Sequence, residues 1–312
     1  MINESLLDEL KKVTQNTALA AYPLFGKQKK NEADALAVVA MRESLNSIPA
    51  KFRVIIGEGE KDEAPMLYAG EILGKGGLEL DIAVDPLECT TSFSKGLANS
   101  MSVLGFSETG GLKSVPGTYM EQWIAGPRAN GIFKPEESIE KNVSKLSSAL
   151  NKKLSELVIV VQDRPRHIDI IQKLRELDCG IALIDSGSLT ATLEICLGYG
   201  TYDAIIGTYG APEGLLSAII ATATNSEMKA ILRPHTDKHT QEWKQMGNEL
   251  GTVMDKEDLV SGEHIGFVAT EIGGNQILRG LRIENQKAQG NTLLVTKKGS
   301  QIESFEKNLK ES

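Results

Sequence analysis

The sequence predicts an α/β fold, and three observations carry that reading. In the second half of the chain short apolar runs alternate with amphipathic stretches. In the first half two apolar runs end in acidic turns. Between the halves lies a charged stretch, 134–153, that contains Pro135 and changes composition. Regular alternation of strand-like and helix-like segments is the signature of a sheet flanked by helices.

The elements follow in order. Leu6, Leu7, Leu10, Val13 and Thr17 fall at helical spacing and predict a first amphipathic helix. A second helix begins near Asn31, read as its N-cap, with Leu36, Ala37, Ala40, Met41 and Leu45 on one face. Residues 52–56 read as a strand entering the acidic turn Gly57-Glu58-Gly59-Glu60, and Pro65 suits the first turn of a helix through Met66 and Leu67. A strand at 80–84 ends at Asp85-Pro86, and another is expected at 102–106.

Beyond the charged stretch the pattern predicts strands at 157–161, 181–184 and 204–207. Helices are expected at 168–177, 189–197 and 215–223. Residues 225–262 are polar and predict outer helices, and 265–271 and 292–296 read as late strands. The composition shift divides the chain into an N-terminal half, 1–140, carrying the acidic turns, and a C-terminal half, 141–312, with the regular α/β alternation.

Composition excludes several classes. Of 312 residues, 41% are hydrophobic and 24% charged, an ordinary globular balance. Lys and Arg total 34 against 42 Asp and Glu, a net charge of −8, which argues against non-specific binding to nucleic acid or anionic membranes. The three cysteines form no C-x-x-C pair, so a reducing, cytoplasmic setting is expected. The first dozen residues carry charges and predict no secretion signal, and no apolar run reaches membrane-spanning length. A P-loop and a G-x-S-x-G elbow are both missing from the sequence. His235 and His239 lie four apart without a surrounding zinc motif and read as a solvated face.

What remains is a set of carboxylates at element ends: Asp34, Glu58, Glu60, Asp62, Asp85, Glu88 and Glu213. Singly, each reads equally well as structural: Asp34 in a first helical turn, Asp62 or Glu63 and Glu213 as caps. Gathered, such carboxylates repel one another unless a hard cation neutralises them, and Mg²⁺ or Mn²⁺ prefers oxygen donors completed by water and phosphate. Asp85-Pro86-Leu87-Glu88-Cys89-Thr90 supplies two carboxylates and a hydroxyl that can orient a water or a phosphate oxygen. Arg164 and Arg166 follow a strand and read either as phosphate anchors or as a surface salt-bridge pair. The turn Asp185-Ser186-Gly187-Ser188 lies between a strand and a helix, where backbone N–H groups receive phosphate, with Ser188 alternatively a simple N-cap.

Over nearly its whole length the chain resembles the class II, GlpX-type, fructose-1,6-bisphosphatases. The segments that carry the resemblance are Gly57-Glu58-Gly59-Glu60-Lys61-Asp62-Glu63-Ala64-Pro65-Met66-Leu67, Asp81-Ile82-Ala83-Val84-Asp85-Pro86-Leu87-Glu88 and Gly210-Ala211-Pro212-Glu213-Gly214. The resemblance implies the layered α-β-α-β-α sandwich of the sugar-phosphatase and inositol-monophosphatase superfamily. It also implies a phosphatase of gluconeogenesis that uses Mg²⁺ or Mn²⁺, acts on fructose 1,6-bisphosphate and in some relatives on sedoheptulose 1,7-bisphosphate. A homo-oligomer, dimer or tetramer, is expected, with a phosphorylated sugar as partner and neither nucleic acid nor membrane.

By the same resemblance Asp34, Glu58, Asp85 and Glu88 are metal ligands, joined by Glu213. Asp62 and Thr90 polarise the attacking water. Lys30, Glu88, Cys89, Thr90, Tyr119, Arg164, Pro165, Arg166, Ser186, Gly187, Ser188 and Gly210 contact substrate. Two positions depart from the family pattern. Cys89 stands where the family has glycine, which can supply a positive φ or a close approach to phosphate. Ser186-Gly187-Ser188 replaces Asp-Gly-Asp, exchanging two carboxylates for hydroxyls that also donate. These departures keep two further readings open: a phosphatase of another sugar, inositol or nucleotide phosphate, and a catalytically silent sugar-phosphate-binding regulator.

Overall fold

The computed structural model describes residues 2–58 and 66–309. In chain order it runs α1 (Glu4–Ala21), α2 (Lys30–Ser47), β1 (Ala50–Ile56), β2 (Ile72–Leu73), β3 (Leu78–Glu88), α3 (Thr90–Ser94), β4 (Met101–Glu108) and β5 (Tyr119–Ala125). There follow α4 (Ile139–Leu150), β6 (Val158–Gln162), α5 (Ile168–Glu176), β7 (Gly180–Ile184), α6 (Leu189–Leu197), β8 (Ala204–Gly210) and α7 (Ala211–Ala223). The last third holds β9 (Glu227–Arg233), α8 (Asp237–Gln245), β10 (Met254–Asp255), α9 (Lys256–Leu259), β11 (Gly266–Glu271), β12 (Arg282–Glu284), β13 (Lys287–Thr296) and β14 (Gly299–Asn308). The expected α/β class is present as two mixed sheets with helices. No helix among the described residues is long and apolar enough to cross a membrane.

The chain forms two compact units, one of residues up to Leu112 together with those from Gly262 on, the other Lys113–Ser261. The division at 140 expected from composition therefore falls inside the second unit, and the segment from 262 returns to the first. Charge and proline at 134–153 mark the entry to α4, an amphipathic surface helix capped by Ser138, whose side chain accepts from the Lys141 N–H.

The first unit carries one sheet in the order β12-β13-β11-β4-β3-β1-β2, with β14 paired to β13. Only β1 and β3 run parallel, in register from Ala50↔Leu78 to Ile56↔Ala83. Leu10, Val13, Met41 and Leu45 of α1 and α2 bury against Phe52, Val54, Ile82, Leu104 and Phe106 of the sheet. That apolar burial is the main force holding the layer together. α1 starts at Asn3, whose side chain accepts from the Leu6 N–H at 2.9 Å. Asn31, expected as the N-cap of α2, lies inside it; the cap position is Lys29, without a side-chain cap. Residues 59–65, and with them the start of the helix expected at Pro65, lie outside the described residues. Met66 and Leu67 are not helical, and Leu67 has φ +56.

The second unit's sheet has the order β10-β9-β5-β8-β6-β7, with β6 parallel to β7 and β8. Trp123, Phe133, Val143, Leu146, Ile159, Leu174 and Ile206 form its core on one side of the sheet. Among the described residues six strands went unread in the sequence: the short β2, β10 and β12, and the longer β5, β9 and β14. β5 and β9 lie inside the second sheet and are buried on both faces along most of their length, 122–125 and 230–232 without a break, although each carries polar residues such as Glu121, Gln122, Glu227 and Lys229. β14 is exposed along almost its whole length and is held by ten register partners in β13.

Candidate active site

The first unit gathers acids at the carboxyl ends of β1 and β3. Ile56 pairs with Ala83 after a register shift past Val54; Glu58 lies two residues beyond Ile56, and Asp85 two residues beyond Ala83. Gly57 is fixed by crowding: a Cβ there would sit 1.8 Å from the Leu67 carbonyl oxygen. The Glu58 N–H donates to that same carbonyl at 3.1 Å. Leu67 in turn donates its N–H to Glu71 Oε2 at 2.6 Å, and buried Glu71 accepts from Arg42 Nε at 2.7 Å. The backbone leading to Glu58 is thereby tied at both sides.

Asp85 sits where β3 breaks register with β4, the irregularity running from Asp85 to Glu88 around Pro86. A proline has no N–H to lend to a ladder, so a bulge is where a strand tolerates it. The bulge brings the two carboxylates together. The protein packed around Asp85 pushes its carboxyl well above the usual range, with the Glu88 charge and hydrogen bond next and Asp34 on α2 adding to it. Asp34, Asp85 and Glu88 thus share one field. Glu88 is buried, and Cys89 Sγ lies 3.7 Å from its Oε1.

Cys89 adopts φ +59 and ψ +44, the left-handed conformation. The position where the family pattern has glycine does demand a positive φ, and cysteine meets it at a strain of roughly 1 kcal/mol. From this bend Thr90 opens α3, its hydroxyl donating to the Leu87 carbonyl at 3.0 Å. With its proton so engaged, Thr90 Oγ1 presents lone pairs. Lys30 is the first residue of α2 and is exposed. Asp62 lies outside the described residues.

Every donor in this set is an oxygen, which suits a hard divalent cation. Among the described residues no three His, Cys, Asp or Glu side chains close a cage around an ion.

The second unit gathers its residues at the carboxyl ends of the parallel strands β6, β7 and β8, the end at which α/β sheets bind ligands. Arg164 donates to the Asp163 and Asp185 carbonyls at 2.8 and 2.5 Å and so holds the start of the 186–188 turn. Arg166 donates to the Thr208 carbonyl at 2.9 Å and to Gln162 Oε1 at 2.6 Å, its guanidinium carbon 4.9 Å from the centre of the Tyr119 ring. Neither arginine forms an ion pair with a described residue. Among the described residues this sets aside the salt-bridge reading: both spend donors on neutral oxygens. Pro165 opens the short 3₁₀ turn between them.

His167, not singled out in the sequence, locks this corner. Its Nδ1 donates to the Gln162 carbonyl at 2.7 Å, and its Nε2 accepts from the Thr208 N–H at 2.8 Å, so the tautomer is fixed by its partners. Burial holds its pKa below the ordinary 6.5. A histidine depressed in the folded state contributes stability above its unfolded pKa that is lost as pH falls through the folded value. Wild type is therefore expected to lose Tm below about pH 6.5 more steeply than His167→Asn, checked by thermal melts across pH 7.5 to 5.

Gly187 has φ +71, a left-handed turn position. Ser188 is buried at the N-cap position of α6 but makes no side-chain cap, which removes the simple capping reading. Tyr119 is the register partner of Gly210. Glu213, in the first turn of α7, folds its carboxylate over Gly210, where a Cβ would meet Oε2 at 1.8 Å. Gly210→Ala must therefore displace that carboxylate. Gly210→Ala and Glu213→Ala are each expected to cost about 10–100-fold in kcat/KM, with the double variant no worse. Steady-state kinetics of the three variants check this.

His235 was also missed as a site neighbour. Its ring lies 5.2 Å from that of Tyr119 and 4.7 Å from that of His239, and Thr118 Oγ1 is 2.9 Å from its Nδ1. The contact joins the ends of β5 and β9, paired from Tyr119↔Arg233 to Ala125↔Glu227, a juxtaposition with no local sequence signal.

The family model described as "Bacterial fructose-1,6-bisphosphatase, glpX-encoded" matches residues 4–308. The chain belongs to this family. GlpX-type relatives agree along most of their length. The fructose-1,6-bisphosphatase 1 class 2 of Escherichia coli K12 is 35% identical over 315 residues, 96% of this chain and 94% of that protein. The D-fructose 1,6-bisphosphatase class 2/sedoheptulose 1,7-bisphosphatase of Synechococcus sp. strain JA-2-3B'a(2-13) is 35% identical over 314 residues, 92% of this chain and 90% of that protein. Among solved structures, an IMPase from Thermotoga maritima is similar at 16% identity over 64% of this chain and 75% of that one. Its TM-score is 0.36, too slight a likeness to carry an argument.

Proposed function

We propose that this GlpX-family protein is a divalent-metal-dependent sugar-bisphosphatase that hydrolyses the 1-phosphate of fructose 1,6-bisphosphate and also accepts sedoheptulose 1,7-bisphosphate. The observation that carries the reading is the pairing of two chemistries in one chain: mutually repelling carboxylates around Asp85, and two arginines held at strand ends by neutral oxygens.

To the first unit we assign the phosphoryl chemistry. Asp34, Glu58, Asp85 and Glu88 would hold Mg²⁺ or Mn²⁺ there; Glu213, in the second unit, is proposed separately as an oxygen donor to a metal. When bound, such a cation neutralises the carboxylates and polarises the phosphoryl oxygens. Thr90, its hydroxyl proton committed to the Leu87 carbonyl, accepts a hydrogen bond from the attacking water and fixes its direction. Asp62 is proposed as the group that receives that water's proton. Lys30 supplies positive charge near Asp34, and the Glu88-Cys89-Thr90 bend presents backbone to the substrate.

To the second unit we assign recognition of phosphate and sugar. Arg164 and Arg166 hold phosphate with charge-assisted hydrogen bonds. Tyr119 and Gly210 flank Arg166, and Ser186, Gly187 and Ser188 face the sugar hydroxyls. Neutral serines there both donate and accept and add no repulsion against phosphate.

A substrate panel at fixed Mn²⁺ tests the assignment. Fructose 1,6-bisphosphate is expected to turn over with the highest kcat/KM, sedoheptulose 1,7-bisphosphate next, and inositol monophosphate and fructose 6-phosphate at least about 100-fold below. A preference for inositol monophosphate or a nucleotide phosphate would overturn the substrate and keep the metal chemistry. No turnover of any ester would leave the regulator reading.

A further inference from the structure

We propose that the cavity on the β12–β13–β14 face of the first unit is a second anion-binding site, built for a small organic phosphate monoester. The cavity measures about 370 Å³ and is lined by Arg279, Arg282, Gln289, Asn291, Ser304 and Glu306, among others. None of these belongs to the site assigned to catalysis, and the proposal stands apart from the substrate reading.

The lining is set by strand register. Arg282 pairs with Gln289, and Gln289 with Glu306, so the three form one row across β12, β13 and β14. Asn291 and Ser304 form the next row on the same face, two residues along, as the period of two requires. Asn291 Oδ1 accepts from the Arg279 N–H at 3.2 Å, and its Nδ2 donates to Ser304 Oγ at 2.9 Å. Ser304 therefore keeps its own proton to donate.

Charge decides what this face binds. Among the described residues Glu306 is the one carboxylate in the lining, and both its oxygens are engaged, by Lys287 Nζ at 2.8 Å and Gln289 Nε2 at 2.9 Å. The Arg279 and Arg282 guanidiniums form no hydrogen bond or ion pair with any described residue. Two uncompensated guanidiniums thus border one cavity in a chain of net charge −8. The planar fork of arginine matches a phosphate oxygen pair. The volume lies in the range of small-molecule pockets and exceeds what a bare phosphate fills, leaving room for a polar organic part against Gln289 and Ser304.

Calorimetric titration of the full chain in EDTA tests this with three probes: adenosine monophosphate, glucose 6-phosphate and inorganic phosphate. Arg164→Ala/Arg166→Ala removes both arginines assigned to phosphate in the proposed active site, and Arg279→Gln/Arg282→Gln removes the second site. One of the two esters is expected to bind wild type and the Arg164→Ala/Arg166→Ala variant with similar affinity, and the double Gln variant about tenfold or more weaker. Turnover by the double Gln variant is expected to stay within about twofold of wild type. Arg279→Lys/Arg282→Lys keeps charge and loses the fork, and is expected to bind weakly too. The proposal is overturned if the double Gln variant binds like wild type, if the Lys variant does, or if inorganic phosphate binds as tightly as the better ester. It is equally overturned if neither ester binds the Arg164→Ala/Arg166→Ala variant, or if the double Gln variant changes oligomeric state with ester binding intact, which would mark the face as a contact between copies.

Discussion

Asp85→Asn is expected to abolish turnover while leaving the fold intact and, in metal-free protein, more stable than wild type. The two effects have one cause. Asp85 is held among Glu88 and Asp34 in surroundings that disfavour its charge. Folding without a cation therefore works against that repulsion, and an isosteric amide relieves it. The same charge is what binds and positions the metal. Loss of one carboxylate from a cation that stabilises the phosphoryl transition state by several kcal/mol lowers kcat by about 10³-fold or more. Paired measurements separate the parts. Melts in EDTA should place the Asn variant's Tm above that of wild type. Adding Mn²⁺ should raise the wild-type Tm by a few degrees through binding to the native state alone, and leave the variant unmoved. A variant that melts lower in EDTA, or that Mn²⁺ still stabilises fully, would remove Asp85 from the metal set.

Arg166→Ala is the second large expected effect, and its signature is a split between KM and kcat. Arg166 holds its geometry through the Thr208 carbonyl and Gln162 and stacks on Tyr119, so its charge is delivered to a fixed place. A hydrogen bond to a charged group contributes about 1.5–3 kcal/mol, which converts to about 10–100-fold in KM for the bisphosphate. The kcat should move little, because the guanidinium meets a phosphate that does not react. A monophosphate ester should show almost no change in KM. Equal losses on both substrates would assign Arg166 to the reacting phosphate instead. Arg166→Lys tests the geometry further: charge is kept, the bidentate fork and the stacking are lost, and part of the KM effect should remain.

The parts of this molecule that were legible in the sequence are those set by local pattern. Strands β1, β3, β4, β6 and β11 are apolar runs, and α1, α5 and α6 keep helical spacing, so their residues announced them. Glu58, Asp85 and Glu88 stood out because they follow such runs directly. What stayed hidden depends on partners far along the chain. β14 is polar on almost every residue, and only its ladder to β13 makes it a strand. His167 is a lock because Thr208 arrives beside it from β8, and His235 meets Tyr119 because β5 and β9 pair. The domain division misled for the same reason: the sheet of the first unit is completed by strands from beyond 262, which no local change in composition signals. Cys89 is the reverse case. Its place in a glycine position left open a positive φ or a close approach to phosphate, and the structure has φ +59 there.

This chain is proposed to use its carboxylate cluster, with a divalent cation, to hydrolyse a sugar bisphosphate. The most direct measurement is phosphate release from fructose 1,6-bisphosphate by the full chain, with Mg²⁺ and Mn²⁺ tested separately and EDTA in parallel. The account predicts one phosphate released per sugar, fructose 6-phosphate as product, dependence on one or both cations, and loss of all release in EDTA. Release that persists in EDTA, or none with either cation, would contradict it.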